Sequence, residues 1–172
     1  MTKLMPKFEQ HRTDFAYCQT ITKRSSSAFY TAFSQLPLER AWSIYAVYAF
    51  CRTADDLVDV DHDIDGLMAL RQSLTTFANG HVPDHPMWRA LAVVFETYDM
   101  NLDVFFDMLT GQEQDATFKQ PQTQQALEDY CYYVAGSVGL MILPMLATNP
   151  QSLVKPAVEL GIAMQLTNIL RD

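Results

Sequence analysis

Glycine and cysteine are scarce in this chain, and each scarcity excludes something. Six glycines and eight prolines in 172 residues rule out collagen-like and low-complexity classes. The three cysteines, Cys18, Cys51 and Cys131, are an odd number and suit no disulfide framework. Met1 to Asp14 is polar and charged and lacks a signal-peptide core, so reduced thiols in a cytoplasm are expected. The longest apolar stretch, Val138 to Ala147, is too short to span a bilayer and contains Pro144. Strand-like alternation is absent. With 49% apolar and 19% charged residues, disorder is excluded, and the length suits one domain, residues 1–172, burying roughly 70% of its unfolded surface.

Positive charge is also short. Residues 1–24 hold Lys3, Lys7, Arg12, Lys23 and Arg24 against Glu9 and Asp14. Every other part is acidic, and the net charge is −8. Nucleic-acid binding normally needs the opposite balance, so that class drops out. An acidic body repels anionic substrates unless metal ions bind the acids first. The basic N-terminal segment is a weak case for peripheral contact with an anionic membrane.

What is abundant is helical spacing. Helices are expected at Phe8–Lys23, with Phe15, Cys18 and Thr22 on one side, and at Ala28–Gln35 after a serine cap or loop. Pro37 suits the first turn of a helix running to about Asp59. Ile64–Ala78, Met87–Tyr98 and Leu102–Phe118 follow. Thr123 then caps a long apolar helix to about Leu146, and Ser152–Asp172 closes the chain. The expectation is an all-α domain of roughly seven or eight helices.

Four features could carry chemistry. Tyr48, Arg52, Asp55 and Asp59 are spaced 4, 3 and 4 apart, one continuous stripe on a helix. Two carboxylates one turn apart can hold Mg²⁺ when substrate phosphates and water complete its shell. The alternative is a solvated acidic face with Arg52 paired to Asp55 or Asp56. Gly161, Gln165, Asn168 and Asp172 repeat the same spacing and set polar groups into an apolar helix. The two stripes are expected to face each other, although a polar network between helices is the plainer reading. In the run from Tyr130 to Gly139, Gly136 and Gly139 suggest a kink, or close approach by a ligand or a second helix. Asp61, Asp63 and Asp65 match the first half of a calcium loop, but its twelfth position is Gln72, and Asp63 or Asp65 can instead cap a helix. His81 and His85 sit among Gly80, Pro83 and Pro86 and read as solvated loop histidines.

Together, Ser-x-x-Phe-Tyr, Tyr-x-x-Cys-Arg-x-x-Asp-Asp-x-x-Asp, Tyr-Cys-Tyr-x-Val-Ala-Gly-x-Val-Gly and Gly-x-x-x-Gln-Leu-x-Asn-Ile-Leu-Arg-Asp resemble the squalene/phytoene synthase family, over Tyr17 to Asp172. The likeness is nearest to its bacterial dehydrosqualene synthases. The resemblance implies an all-α isoprenoid-synthase fold around a central cavity, and Mg²⁺-dependent joining of two prenyl diphosphates. It implies that Asp55, Asp59, Asn168 and Asp172 bind metal. Tyr48, Arg52 and Tyr130 would be catalytic. Ser26, Phe29, Phe33, Val134, Val138, Gly139, Gly161 and Gln165 would contact substrate alongside Tyr48, Arg52 and Asn168. Ala28 stands where the family pattern has a serine.

The family's second motif is Asp-x-x-x-Asp, and this chain reaches only its first Asp. The expectation is therefore an N-terminal portion that is inactive alone and prone to self-association. Dehydrosqualene is the expected product. Phytoene from geranylgeranyl diphosphate, or a non-catalytic binding role, are the alternatives.

Overall fold

The computed structural model describes residues 4–117 and 119–171. Among them there are ten α-helices and no strand: α1 Pro6–Gln10, α2 Arg12–Ser25, α3 Ser27–Phe33, α4 Leu38–Asp59, α5 Ile64–Ala78, α6 Pro86–Thr97, α7 Leu102–Ala116, α8 Gln124–Cys131, α9 Ser137–Leu146 and α10 Val154–Arg171. A π-helical turn, Tyr132–Gly136, joins α8 to α9, and a 3-10 turn, Pro150–Leu153, leads into α10. The chain forms two compact units, residues 1–53 with 75–100, and residues 54–74 with 101–172.

The first unit has an aromatic core. Phe8 stacks on Phe15 at 5.0 Å, Phe15 on Trp42 at 5.4 Å, and Phe50 meets Trp88 edge-on at 5.6 Å. Phe15, Cys18 and Thr22 are all buried, as their spacing predicts. The single helix expected over Phe8–Lys23 is instead two, broken at His11, whose ring nitrogen lies 2.8 Å from Asp14. That Asp14 carboxylate also accepts from Arg89 of α6 at 3.0 Å, so one buried acid ties α2 to α6. Burial raises its pKa, but the hydrogen bonds and charge of Arg89 and His11 outweigh this and hold it below the ordinary value. His85 is not a bystander of the loop. Its Nδ1 accepts from the Met87 N–H at 3.2 Å and caps α6, and its ring meets Tyr17 edge-on. The basic residues here are engaged locally: Lys7 with Glu96, Arg12 with Glu9, and Lys23 over the Tyr30 ring.

The second unit is built on close backbone approach. The helix expected from Thr123 to Leu146 does start at a Thr123 cap, whose Oγ1 accepts from the Ala126 N–H at 3.1 Å. It does not continue as one α-helix, because the π turn widens it at Tyr132–Gly136. By length and composition Gln124–Leu146 is apolar enough to cross a membrane, a longer span than the apolar stretch read from the sequence, and 33% of its 18-residue apolar part is buried within the protein. A Cβ on Gly161 would fall 2.8 Å from the Ala135 carbonyl oxygen and 2.8 Å from the Gly136 Cα. One on Gly139 would fall 3.0 Å from the Ala157 carbonyl oxygen. The glycines therefore let α10 lie against the π turn and α9, which is the second-helix outcome of the two expected. Asp63 takes the capping role that the sequence offered: its Oδ1 accepts from the Gly66 N–H at 2.8 Å and caps α5.

Gly161→Ala tests this packing. Alanine gains about 1 kcal/mol of helix propensity over glycine. Its Cβ meets backbone atoms that cannot rotate away, so the net change is expected to be a loss of about 1–2 kcal/mol in urea unfolding. An unchanged or raised unfolding midpoint would contradict the close contact.

Candidate functional site

Helix α4 carries the first stripe. Pro37 precedes it, and the Pro37 carbonyl accepts the Ala41 N–H at 3.0 Å, starting the helix. Ala46, Ala49, Phe50, Ala54 and Val58 are buried on its apolar side. Tyr48, Arg52 and Asp55 are half-buried along the stripe, and Asp59 is exposed on the last turn. The chain leaves the helix there: the N–H groups of Val60 and Asp61 both return to the Asp56 carbonyl at 3.0 Å. His62 then takes a left-handed φ of 51°. A carboxylate at such a helix end faces the negative end of the helix dipole, which favours a bound cation there.

In the first unit, Phe29 and Phe33 lie one turn apart on α3 with ring centroids at 4.3 Å, and Phe29 meets Tyr48 at 4.9 Å. The two phenylalanines thus share one aromatic surface. Ser26 is the cap of α3, its Oγ accepting from the Phe29 N–H at 3.2 Å. This bond orients the start of the helix that presents Phe29.

In the second unit, the second stripe holds a hydrogen-bonded pair. Asn168 Nδ2 donates to Gln165 Oε1 at 3.5 Å. Gln165 acts on the Tyr130 hydroxyl in the sense that favours the phenolate, the smallest of the influences on that group. Tyr130 donates to Asp115 Oδ1 at 2.7 Å. Burial raises the Asp115 pKa, the Tyr130 hydrogen bond lowers it, and the negative charge of Asp59 raises it further, for a net upward shift. Burial and the Asp115 carboxylate push Tyr130 well above the usual phenol range. So Asn168 and Gln165 are paired on α10, and Tyr130, also singled out in the sequence, is bonded to Asp115, which was not. Asp115 sits eight residues beyond Asp107 on α7, a spacing that reads only as a solvated helix side.

Tyr130 also lines a cavity of about 500 Å³ with Pro121, Leu127 and Ile169, edged by the polar groups of Gln120 to Gln124. Val134 lies against α7, where a Cβ on Gly111 would fall 2.9 Å from its Cγ1. Val138 is half-buried on α9, and Gly139 and Gly161 sit at the α9 and α10 contacts described above.

Asp172 lies outside the described residues, and with it the expected confrontation of the two aspartate motifs. Among the described residues no group of three or more His, Cys, Asp or Glu is gathered as a metal cage. The donors present still fit Mg²⁺. That ion is held by one or two carboxylates plus substrate phosphates and water, and Asp55 and Asp59 supply a pair one turn apart on α4.

Comparison with known proteins follows the same residues. The family model for squalene/phytoene synthase matches residues 22–172. The 4,4'-diapophytoene synthase of Staphylococcus haemolyticus (strain JCSC1435) is 37% identical over 168 residues, covering 92% of this chain and 58% of that protein. The phytoene synthase of Arthrospira platensis is 34% identical, covering 92% and 56% respectively. A crystal structure of a dehydrosqualene synthase in complex with ligand superposes with a TM-score of 0.94 at 59% identity, covering 96% of this chain and 59% of that one. Squalene synthase HpnC from Alicyclobacillus acidocaldarius gives 0.79 at 26% identity, covering 92% and 61%. The chain thus spans about three-fifths of the length of these relatives. Its helices follow the terpenoid-synthase fold, and the chain belongs to the squalene/phytoene synthase family.

Proposed function

We propose that this chain supplies the first metal-binding helix and the reactive tyrosine of an enzyme that joins two farnesyl diphosphates head to head, giving dehydrosqualene through a cyclopropyl diphosphate. The observation that carries this reading is the Tyr130–Asp115 hydrogen bond, together with the Asn168–Gln165 pair on α10. Such satisfied polar groups on otherwise apolar helices are expected where charge develops and water is excluded.

Asp55 and Asp59 would hold Mg²⁺, with Asn168 and Asp172 contributing from the second motif. When bound, the ion would neutralise the departing diphosphate. Arg52 and Tyr48 would contact the same diphosphate, the guanidinium by paired hydrogen bonds. Ser26 would stand near it. The Phe29 and Phe33 rings would face the allylic cation with their negative π surfaces. Val134, Val138, Gly139 and Gly161 would shape the channel for the prenyl chains. Ring closure and the final rearrangement each release a proton from carbon, and Tyr130 is the candidate acceptor. The dehydro product needs no hydride donor. The buried Cys18 and Cys131 thiols suit a reducing cytoplasm.

In the complete protein, Asp55→Asn should lower turnover of farnesyl diphosphate with Mg²⁺ by more than about tenfold, with the helical circular dichroism unchanged. Near-normal turnover would reject the metal role.

Phytoene formation is the second reading, favoured by the similarity to a phytoene synthase. The paired rings of Phe29 and Phe33 favour the shorter substrate, because a bulky ring one turn beyond the first narrows the same wall. Phe33→Ala should therefore improve kcat/KM for geranylgeranyl diphosphate relative to farnesyl diphosphate. Unchanged preference would count against the channel role, and a wild-type preference for the longer substrate would favour phytoene.

A further inference from the structure

Two tyrosines bridge the Gln124–Gly136 segment to α7. Tyr130 donates to Asp115 at 2.7 Å, and Tyr132 donates to Asp107 at 2.6 Å. Two residues on a regular helix point about 200° apart. Both hydroxyls nevertheless reach α7, and the widened π turn begins at the second of them. The bridges have the same chemistry, a phenol on a carboxylate, but different surroundings. Tyr132 has only Asp107 and the neighbouring Tyr133 acting on it. Tyr130 has Gln165 acting on it as well, and Asp115 has Asp59 nearby.

A phenol oxygen has one proton to give and lone pairs to receive with. Its proton can swing about the Cζ–Oη bond unless a partner fixes it. The half-buried Asp115 carboxylate accepts that proton in a short bond to an anion, the strong kind. Gln165 acts weakly on the same hydroxyl in the opposite sense. An acceptor direction of the oxygen is then left for a substrate.

We infer that Asp115 is the positioning residue of Tyr130: it accepts the hydroxyl hydrogen bond, so that Tyr130 turns an oxygen lone pair toward the prenyl carbon that loses its proton, and it is placed to receive the hydroxyl proton as Tyr130 takes that one. This rests on the reading of Tyr130 as the reactive tyrosine. Asp115 acts only through Tyr130. The Tyr132–Asp107 bridge serves packing alone, and so provides an internal comparison.

The experiment uses the chain with ¹³Cζ-labelled tyrosine, the Tyr130 resonance being assigned by its loss in Tyr130→Phe. Without ligand, Asp115→Asn should shift the Tyr130 resonance, Asp115→Glu should restore most of it, and Asp107→Asn should leave it in place. On adding farnesyl S-thiolodiphosphate with Mg²⁺, the wild-type Tyr130 resonance should move. Asp115→Asn should weaken this movement of the Tyr130 resonance to less than about half of the wild-type shift, because the hydroxyl is no longer held in place. Asp107→Asn should leave the movement as in wild type. A ligand-free Tyr130 resonance indifferent to Asp115→Asn overturns the positioning role. So does equal weakening by Asp107→Asn, which would reduce both bridges to packing. A wild-type Tyr130 resonance that ignores the analogue counts instead against the proposed function, while the ligand-free comparison still decides whether Asp115 holds Tyr130.

Discussion

A tyrosine hydroxyl held on a half-buried carboxylate, among apolar helices, is the interaction on which the second unit turns. Each polar group in that place needs a partner, because an unsatisfied buried donor or acceptor costs about 1–3 kcal/mol. The cost is avoided by two bonds, Asn168 to Gln165 on α10 and Tyr130 of α8 to Asp115 of α7. Helices α7 and α8 therefore have to keep their mutual register. Asp59 adds a further negative charge nearby, which raises the Asp115 pKa. An acidic pair of this kind is poorly balanced by protein alone, and a divalent cation bound at Asp55 and Asp59 would relieve it.

The register is kept by backbone contacts rather than by interdigitating side chains. Gly161 brings α10 onto the Ala135 carbonyl, and Gly139 brings α9 onto the Ala157 carbonyl. Gly111 does the same on α7, where an added Cβ would fall 3.0 Å from the Tyr133 carbonyl carbon. Long side chains at these three points would push the helices apart and stretch the Tyr130–Asp115 bond with them. Glycine in a helix is normally a cost. Here the cost is offset by placing Gln165 within reach of Tyr130. Packing and chemistry in this unit are one requirement.

The fold was legible where periodicity alone decides it. The α5 limits, Ile64 and Ala78, agree with the spacing of Leu67, Leu70 and Leu74, all buried. α4 keeps its stripe because no glycine or proline interrupts it. What escaped the sequence were features that hydrophobic periodicity does not encode. The π turn leaves the apolar pattern almost unchanged, so nothing in the spacing of residues 124–146 separates it from a regular helix. The cap formed by His85 was hidden because histidine is not a usual capping residue. At the break, His11 meets Asp14, which also accepts from Arg89, seventy-five residues away. Asp115 was missed for a similar reason. Its motif is its partner, Tyr130, and α7 carries no pattern that distinguishes Asp115 from the exposed Asp103. The family resemblance supplied roles for Tyr48, Arg52 and Asp55, which a stripe of mixed charge on one helix would not have assigned by itself.

The central claim is that the carboxylates of this chain bind a divalent cation together with a prenyl diphosphate rather than alone. Calorimetric titration of Mg²⁺ into the chain, with and without saturating farnesyl S-thiolodiphosphate, tests it most directly. The account predicts a binding isotherm with the analogue present that disappears in Asp55→Asn, and weak or no binding in its absence. Equal Mg²⁺ affinity with and without the analogue, or an isotherm indifferent to Asp55→Asn, would contradict it.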